Sequence, residues 1–321
     1  MRAISVTSIG GPDVLTAVPA PDPTPGPGQV LVRVRAAGVN FIDTYLRSGL
    51  YPAQVPFVPG SEGAGDVVAL GPGVEELAVG QRVAWCDVPG SYAELVAVPV
   101  ARALRIPDGV GYAEAGSGLL RGLTAHYLLD GAAQPRSGET VLVQAGAGGV
   151  GLILTQMAKR AGLRVLTTVS SDAKEVLSRA AGADEVLRYG DDLAARIRAL
   201  TGGRGVSVAY DGVGADTFEQ SLAATAVRGK VVLFGAASGP VPPFDLQRLN
   251  PLGSLSVIRP TLAHYITDPG ELAWRAKDYF TALAGGFVEV RVGQRYPLAD
   301  AAQAHRDLEG RRTTGTTVLL P

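Results

Sequence analysis

Through roughly the first 120 residues, short runs of alternating apolar and polar positions separated by turn residues predict an all-β region. Strands are expected at 30–36, 65–70, 82–85 and 92–99. Proline and glycine punctuate them at 19–28 and 71–73, where neither strand nor helix can continue. The proline-rich stretch lies between two strands, which predicts an ordered crossing of polyproline II type. The pattern turns helical over 112–130, and β and α segments then alternate. Strands are expected at 141–144, 164–169, 185–189, 206–210 and 229–235, with helices from 150, over 174–181 and over 193–200. Alternation at this spacing predicts a doubly wound parallel sheet, class α/β, with helices on both faces. An amphipathic helix at 271–284 and strands at 289–296 and 316–320 are expected to return to the first domain.

The segment Val141-Leu-Val-Gln-Ala-Gly-Ala-Gly-Gly-Val-Gly151 is the most informative in the chain. Gly146, Gly148 and Gly151 match G-x-G-x-x-G, with a strand before, a helix after and a second strand beyond. The first glycine permits the tight turn, the second lets backbone amides approach a pyrophosphate, and the third lets helix pack on strand. Phosphates then sit at a helix N-terminus, where unpaired amides and the dipole favour negative charge. Ligands on such sheets bind beyond the strand C-termini, so 144–151, Ser170, 211–214 and 234–239 form one expected rim.

The second strand bears on the cofactor. An acidic residue at its tip would grip a ribose hydroxyl and select NAD. Here Ser170-Ser171 stands at the tip, followed by Lys174. Hydroxyls with a cation suit a 2′-phosphate, and Tyr189 at the end of the next strand joins them. The pattern favours NADPH over NADH. Asp172 is expected to cap the helix that begins near residue 173.

Composition narrows the class. The 321 residues favour two domains, and 46% hydrophobic content with mixed charge describes a soluble globular protein. A net charge of −1 leaves no electrostatic footprint for nucleic acid or an anionic membrane. No apolar run approaches the ~20 residues that span a bilayer, and the N-terminus begins as a strand without a signal-peptide core. Cys86 is the single cysteine, which excludes an internal disulfide and suits a reducing cytoplasm. It is expected to be a small core residue rather than a nucleophile.

Several motifs together resemble the zinc-independent quinone oxidoreductases, the zeta-crystallin-like group of the medium-chain dehydrogenase/reductase superfamily. They are Ala37-Gly-Val-Asn-Phe-Ile-Asp-Thr-Tyr-Leu-Arg-Ser-Gly-Leu-Tyr51, Pro59-Gly-Ser-Glu-Gly-Ala-Gly65, Arg121-Gly-Leu-Thr-Ala125, the 145–151 turn, Tyr210-Asp-Gly-Val-Gly214, Phe234-Gly-Ala-Ala-Ser-Gly239 and Arg259-Pro-Thr-Leu262. The resemblance covers essentially the whole chain. It implies a GroES-like β-barrel catalytic domain (1–122 and 266–321), a Rossmann NADPH-binding domain (123–265), an active-site cleft between them and a homodimer. It further implies that Asn40, Asp43 and Tyr45 lie by the nicotinamide and Tyr51 near the quinone. Ala145, Gly146, Gly148, Gly149 and Val150 would hold the pyrophosphate, and Ser170, Lys174 and Tyr189 the 2′-phosphate. Phe234, Gly235 and Ser238 would run along the nicotinamide half. Arg121 departs from the lysine that similar bacterial proteins often carry, and a guanidinium is larger and forked.

Zinc alcohol dehydrogenases of the same superfamily have a cysteine and a Gly-His-Glu where this chain has Asn40 and Pro59-Gly-Ser-Glu62. With one cysteine and only His126, His264 and His305, no ligand cluster is evident, and each histidine is expected to be a surface or structural residue. No metal is expected. A quinone is electron-poor and needs neither metal nor strong acid. Asn40 could orient a carboxamide or donate to a carbonyl, and Tyr45 or Tyr51 could donate as negative charge develops. Two alternatives remain: an NADPH-dependent reductase of 2-alkenals or enones, and a non-catalytic NADPH-binding protein.

Overall fold

The computed structural model describes residues 1–321, which divide into two compact units: Met1–Arg121 with Ala276–Pro321, and Gly122–Arg275. The sequence expectation placed the return to the first unit at 266. Residues 266–275 instead pack within the second, where the Arg275 guanidinium donates to the Tyr265 carbonyl (3.2 Å) and to Glu271 (2.5 Å) and meets His126 Nδ1 at 2.9 Å.

The first unit is built on a seven-stranded sheet. Its order runs Val292–Pro297, Thr316–Leu320, Gln29–Gly38, Glu62–Leu70, Arg82–Cys86, Leu104–Arg105, with Leu95–Pro99 also paired to Gln29–Gly38. Only the first pair is parallel. Alternation along Gln29–Gly38 sends Val30, Val32 and Val34 into a core with Trp85, Tyr92 and Val98. One expectation fails here. Residues Phe41–Ser48, inside the region read as all-β, form a helix that buries Asp43, Thr44, Tyr45 and Arg47. Phe41, Ile42, Tyr45 and Leu46 form an apolar stripe at helical spacing, but the buried set also takes in Asp43, Thr44 and Arg47 from the polar side.

The second unit is a six-stranded parallel sheet in the order Glu185–Arg188, Arg164–Val169, Thr140–Val143, Val206–Asp211, Thr225–Leu233, Ser256–Ile258. In chain order this is 3-2-1-4-5-6, the dinucleotide-binding arrangement, and the order reverses between Thr140–Val143 and Val206–Asp211. Helices Gly149–Arg160, Asp172–Ala180, Leu193–Leu200 and Phe218–Ala224 connect the strands. Leu142, Leu166, Ile197, Leu222 and Val231 are among the side chains of its core. No helix is long and apolar enough to cross a membrane.

Candidate active site and cofactor turn

In the first unit, Gln29–Gly38 runs into the Phe41–Ser48 helix through Val39 and Asn40. Asn40 is extended and caps the helix, and its main-chain N–H donates to the Asp43 carboxylate at 2.8 Å. Asp43 also accepts from Ser61 Oγ (2.6 Å) and from the Tyr92 hydroxyl (3.3 Å). It is fully buried, and desolvation pushes its carboxyl up to about 6 although every one of these donors favours the charged form.

The side chain of Asn40 is held separately. Its Nδ2 donates to Glu62 Oε1 at 2.8 Å. Arg121 donates to the same oxygen at 3.0 Å, and the Leu120 amide donates to Oε2 at 2.8 Å. Glu62 thus faces only donors. Burial lifts its carboxyl to about 7 against the pull of Arg121. Arg121 braces the group further, donating to the carbonyls of Val39 (2.5 Å) and Ser117. The forked guanidinium therefore serves both the carboxylate and the chain entering the helix. Gly38 makes room for it: a Cβ there would lie 2.3 Å from Glu62 Oε1.

Tyr45 is buried, and its ring meets that of Tyr51 edge-on at 5.2 Å. The Tyr51 amide donates to the Tyr45 carbonyl at 3.1 Å across the left-handed Gly49, so both expected tyrosines sit together at the helix C-terminus. Sequence reasoning singled out Asn40, Asp43, Tyr45 and Tyr51; it missed Ser61, Tyr92, His305 and the load carried by Glu62. The Pro59-Gly-Ser-Glu62 motif was the available signal for two of these. Cys86 is buried, and desolvation raises its thiol, as a core cysteine should be. No three His, Cys, Asp or Glu side chains converge as a metal site would require.

In the second unit, the strand Thr140–Val143 ends in a turn from which the Gly149–Arg160 helix rises. Ala145 takes a left-handed φ of 55°. Gly146 has no space for a side chain: a Cβ would lie 2.5 Å from Thr167 and 2.8 Å from Ser178. At Gly151 it would lie 2.3 Å from the Ala145 carbonyl. Main chain and helix start are thus pressed together as a phosphate cradle requires, with Gly148, Gly149 and Val150 opening the helix. Ser170 and Lys174 are brought together, Lys174 Nζ donating to Ser170 Oγ at 3.3 Å. Tyr189 lies at the turn, where its hydroxyl accepts the Ala145 amide at 3.1 Å. Asp172 is not the helix cap. Ser171 is, accepting the Lys174 amide at 3.4 Å, because Asp172 already lies in the first turn. The Asp172 carboxylate instead accepts from Arg188 at 2.6 Å.

Gly235 presses on the Gly212 carbonyl, and the Phe234 ring covers Gly212. Ser238 spends its hydroxyl on the Val213 carbonyl (2.8 Å) and the Asp216 amide (3.0 Å), so its side chain ties two rim loops together. Beneath the rim runs a buried network that the sequence did not reveal. Thr168 Oγ1 accepts the Ala145 amide (3.1 Å) and donates to Gln144 (2.6 Å). Gln144 donates to Ser221 (3.1 Å), which donates to Asp211 (2.7 Å). Asp211 also accepts the amides of Val213 (2.9 Å) and Gly214 (3.0 Å). The residues present fit a dinucleotide phosphate group: a side-chain-free turn at a helix start, with a hydroxyl and a cation at the neighbouring strand tip.

The chain matches the family models described as "Alcohol dehydrogenase GroES-like domain" over residues 26–108 and "Zinc-binding dehydrogenase" over 149–273. It is 46% identical to a quinone oxidoreductase of Pseudomonas aeruginosa, covering 100% of this chain and 99% of that protein. A mycobacterial protein solved in complex with NADPH superposes with a TM-score of 0.98 at 53% identity, covering 100% of both chains. The quinone oxidoreductase of Escherichia coli complexed with NADPH gives 0.97 at 40% identity, again over 100% of both. The chain therefore belongs to the quinone oxidoreductases of the medium-chain dehydrogenase/reductase superfamily.

Proposed function

We propose that this protein is an NADPH-dependent quinone reductase. The observation that carries the reading is the Asn40 amide, fixed on Glu62 at 2.8 Å in a pocket of buried donors. One N–H is spent on Glu62, and the second N–H is the donor we assign to the acceptor. NADPH, when bound, supplies the reducing equivalents. Ala145, Gly146, Gly148, Gly149 and Val150 would hold its pyrophosphate. Ser170, Lys174 and Tyr189 would hold the 2′-phosphate, and Phe234, Gly235 and Ser238 would shape the nicotinamide half. Asn40 donates to an acceptor oxygen as negative charge develops there, and Tyr45 or Tyr51 supplies a hydroxyl for the proton a reduced quinone takes up. Asp43 acts through the Asn40 main chain. The relatives' names and their bound NADPH support this reading.

The test compares 1,4-benzoquinone, naphthoquinone and 2-alkenals with NADPH and with NADH. Quinones with NADPH are expected to be reduced fastest. Faster reduction of alkenals would make the protein an enone reductase, and tight NADPH binding without oxidation by any acceptor would make it a non-catalytic binder. Asn40→Ala should slow turnover on the order of a hundredfold while leaving the NADPH dissociation constant nearly intact. We further propose a homodimer paired along Ser256–Ile258, the strand that ends the second unit's sheet with an open ladder. Light scattering would show a mass near that of two chains.

A further inference from the structure

A second set of polar side chains lies buried behind Asp43, and the reaction as proposed does not use it. The Tyr92 hydroxyl is 3.3 Å from Asp43 Oδ2 and 3.0 Å from His305 Nε2. His305 Nδ1 is 3.3 Å from Arg47 NH1. Arg47 is itself buried; it donates to the Gly10 carbonyl at 3.1 Å and to both oxygens of Glu309, at 2.6 and 3.1 Å. Five residues from three separated parts of the chain thus form one line from Asp43 to the exposed Glu309.

The direction of each hydrogen bond in this line is determined by chemistry. A guanidinium has donors only and keeps its protons, so His305 Nδ1 must accept from Arg47. The neutral ring then carries its proton on Nε2 and donates it to the Tyr92 oxygen. Tyr92 is left with its own hydrogen, which goes to Asp43. From Arg47 to Asp43 every bond points the same way, while Arg47 donates outward to Glu309. The line cannot pass protons inward from solvent, because Arg47, which stands between Glu309 and His305, does not release one.

We propose that His305 and Tyr92 are positioning residues for the proposed reduction: a one-way chain of donors, anchored on Arg47, that keeps Asp43 an ionised acceptor and so fixes the main chain at Asn40. The inference rests on the reading of Asn40 above. Burial holds the His305 ring neutral, down to about 3, with the adjacent Arg47 adding to the effect. Other charged and titratable groups facing Asp43 are Arg121 from the Tyr112–Tyr127 helix and Glu62 from the Glu62–Leu70 strand. Neither can replace the hydrogen bond that Tyr92 supplies.

The decisive measurement needs no turnover. The chain has three histidines, so nitrogen NMR of the ¹⁵N-histidine-labelled protein can assign the His305 ring by its loss in His305→Gln. The expected spectrum shows a proton on Nε2, none on Nδ1, and no titration between pH 5 and 8. A proton on Nδ1, or titration in that range, overturns the proposal. In steady-state kinetics, Tyr92→Phe removes one donor from Asp43. The acid limb of kcat should move to higher pH, with the NADPH dissociation constant unchanged. An unmoved acid limb refutes the role. His305→Gln, whose amide can accept and donate, should retain more activity than His305→Leu; equal losses would speak for packing alone and against the chain. If no acceptor is reduced at all, the proposed function fails while the ring's protonation still judges the chain.

Discussion

The two units solve different problems with different materials. The first gathers ionisable side chains, Asp43, Glu62, Arg121 and Arg47, in places without water, where each charge depends on the hydrogen bonds aimed at it. The second holds its candidate phosphate site with main chain, in a turn where side chains are shut out and the polar network lies underneath. Damage to the first unit should therefore change protonation and rate. Damage to the second should change shape and cofactor affinity.

The sharpest way to break this contrast is Glu62→Leu. It leaves the buried Arg121 cation, the Asn40 amide and the Leu120 N–H without their acceptor. Removing one partner of a buried pair costs about 3–5 kcal/mol, so denaturant unfolding should show a loss of that size alongside a collapse in kcat. A loss below about 1 kcal/mol would mean that water or another group satisfies Arg121 and that the charge cluster is not a unit.

Next in size is a divergence between activity and stability with pH. Asp43 titrates at about 6 in the folded chain, above its ordinary 3.8. The folded state binds this proton more tightly than the unfolded one. Its stabilising contribution is complete below about pH 4 and is lost as pH rises through 6, by on the order of 3 kcal/mol. Activity should run the other way, because the ionised carboxylate receives Asn40, Ser61 and Tyr92. The stability advantage of the wild type over Asp43→Asn should shrink from pH 4 to pH 7 while the wild-type rate climbs. An advantage that grows over this range would reverse the sign of the argument.

The second unit offers the counterpart in Gly151→Ala. The added Cβ would meet a main-chain carbonyl, which cannot swing away as a side chain can. Overpacking of this kind costs about 1–3 kcal/mol, and the displaced turn should weaken NADPH binding at least tenfold by fluorescence titration. The pH profile of kcat should keep its wild-type shape. A shifted acid limb would show that the two kinds of site are not separate.

What the sequence disclosed follows the same division. The strands Arg164–Val169 and Thr316–Leu320 and the helix Leu193–Leu200 appear with the bounds expected from periodicity, because their apolar side chains recur at strand and helix spacing. The glycine turn was legible because main chain must come close to main chain there. That the polar side of the Phe41–Ser48 helix is buried was not, since Asp43 and Arg47 find their partners far along the chain at Ser61, Tyr92 and Glu309. Local patterning cannot reveal a polar residue that is made tolerable inside only by distant donors. His305 fits the structural, hydrogen-bonding reading of the histidines, but nothing near it in sequence marks that it is wholly buried or linked to Arg47 and Tyr92.

The smallest effect tests the cation at the second unit's candidate phosphate site. Lys174 stands in the first turn of the Asp172–Ala180 helix with its ammonium 3.3 Å from Ser170 Oγ, at the tip of Arg164–Val169. Arg188, on the next strand, is occupied with Asp172 at 2.6 Å and Glu175 at 2.8 Å, which neutralises the acidic residues beside the site. Lys174 is therefore the cation assigned to a 2′-phosphate. Being only half-buried, it works through a partly screened contact, and one such charge-assisted bond is worth about tenfold in affinity. Lys174→Ala should raise the NADPH dissociation constant about tenfold, leave that for NADH unchanged and leave kcat at saturating NADPH intact. The loss should shrink as salt rises, because a cation at the surface is screened where Arg121 is not. If NADH binding falls in parallel, Lys174 supports the turn as a whole rather than reading the phosphate. The contrast between a side-chain site and a main-chain site would then hold without exception.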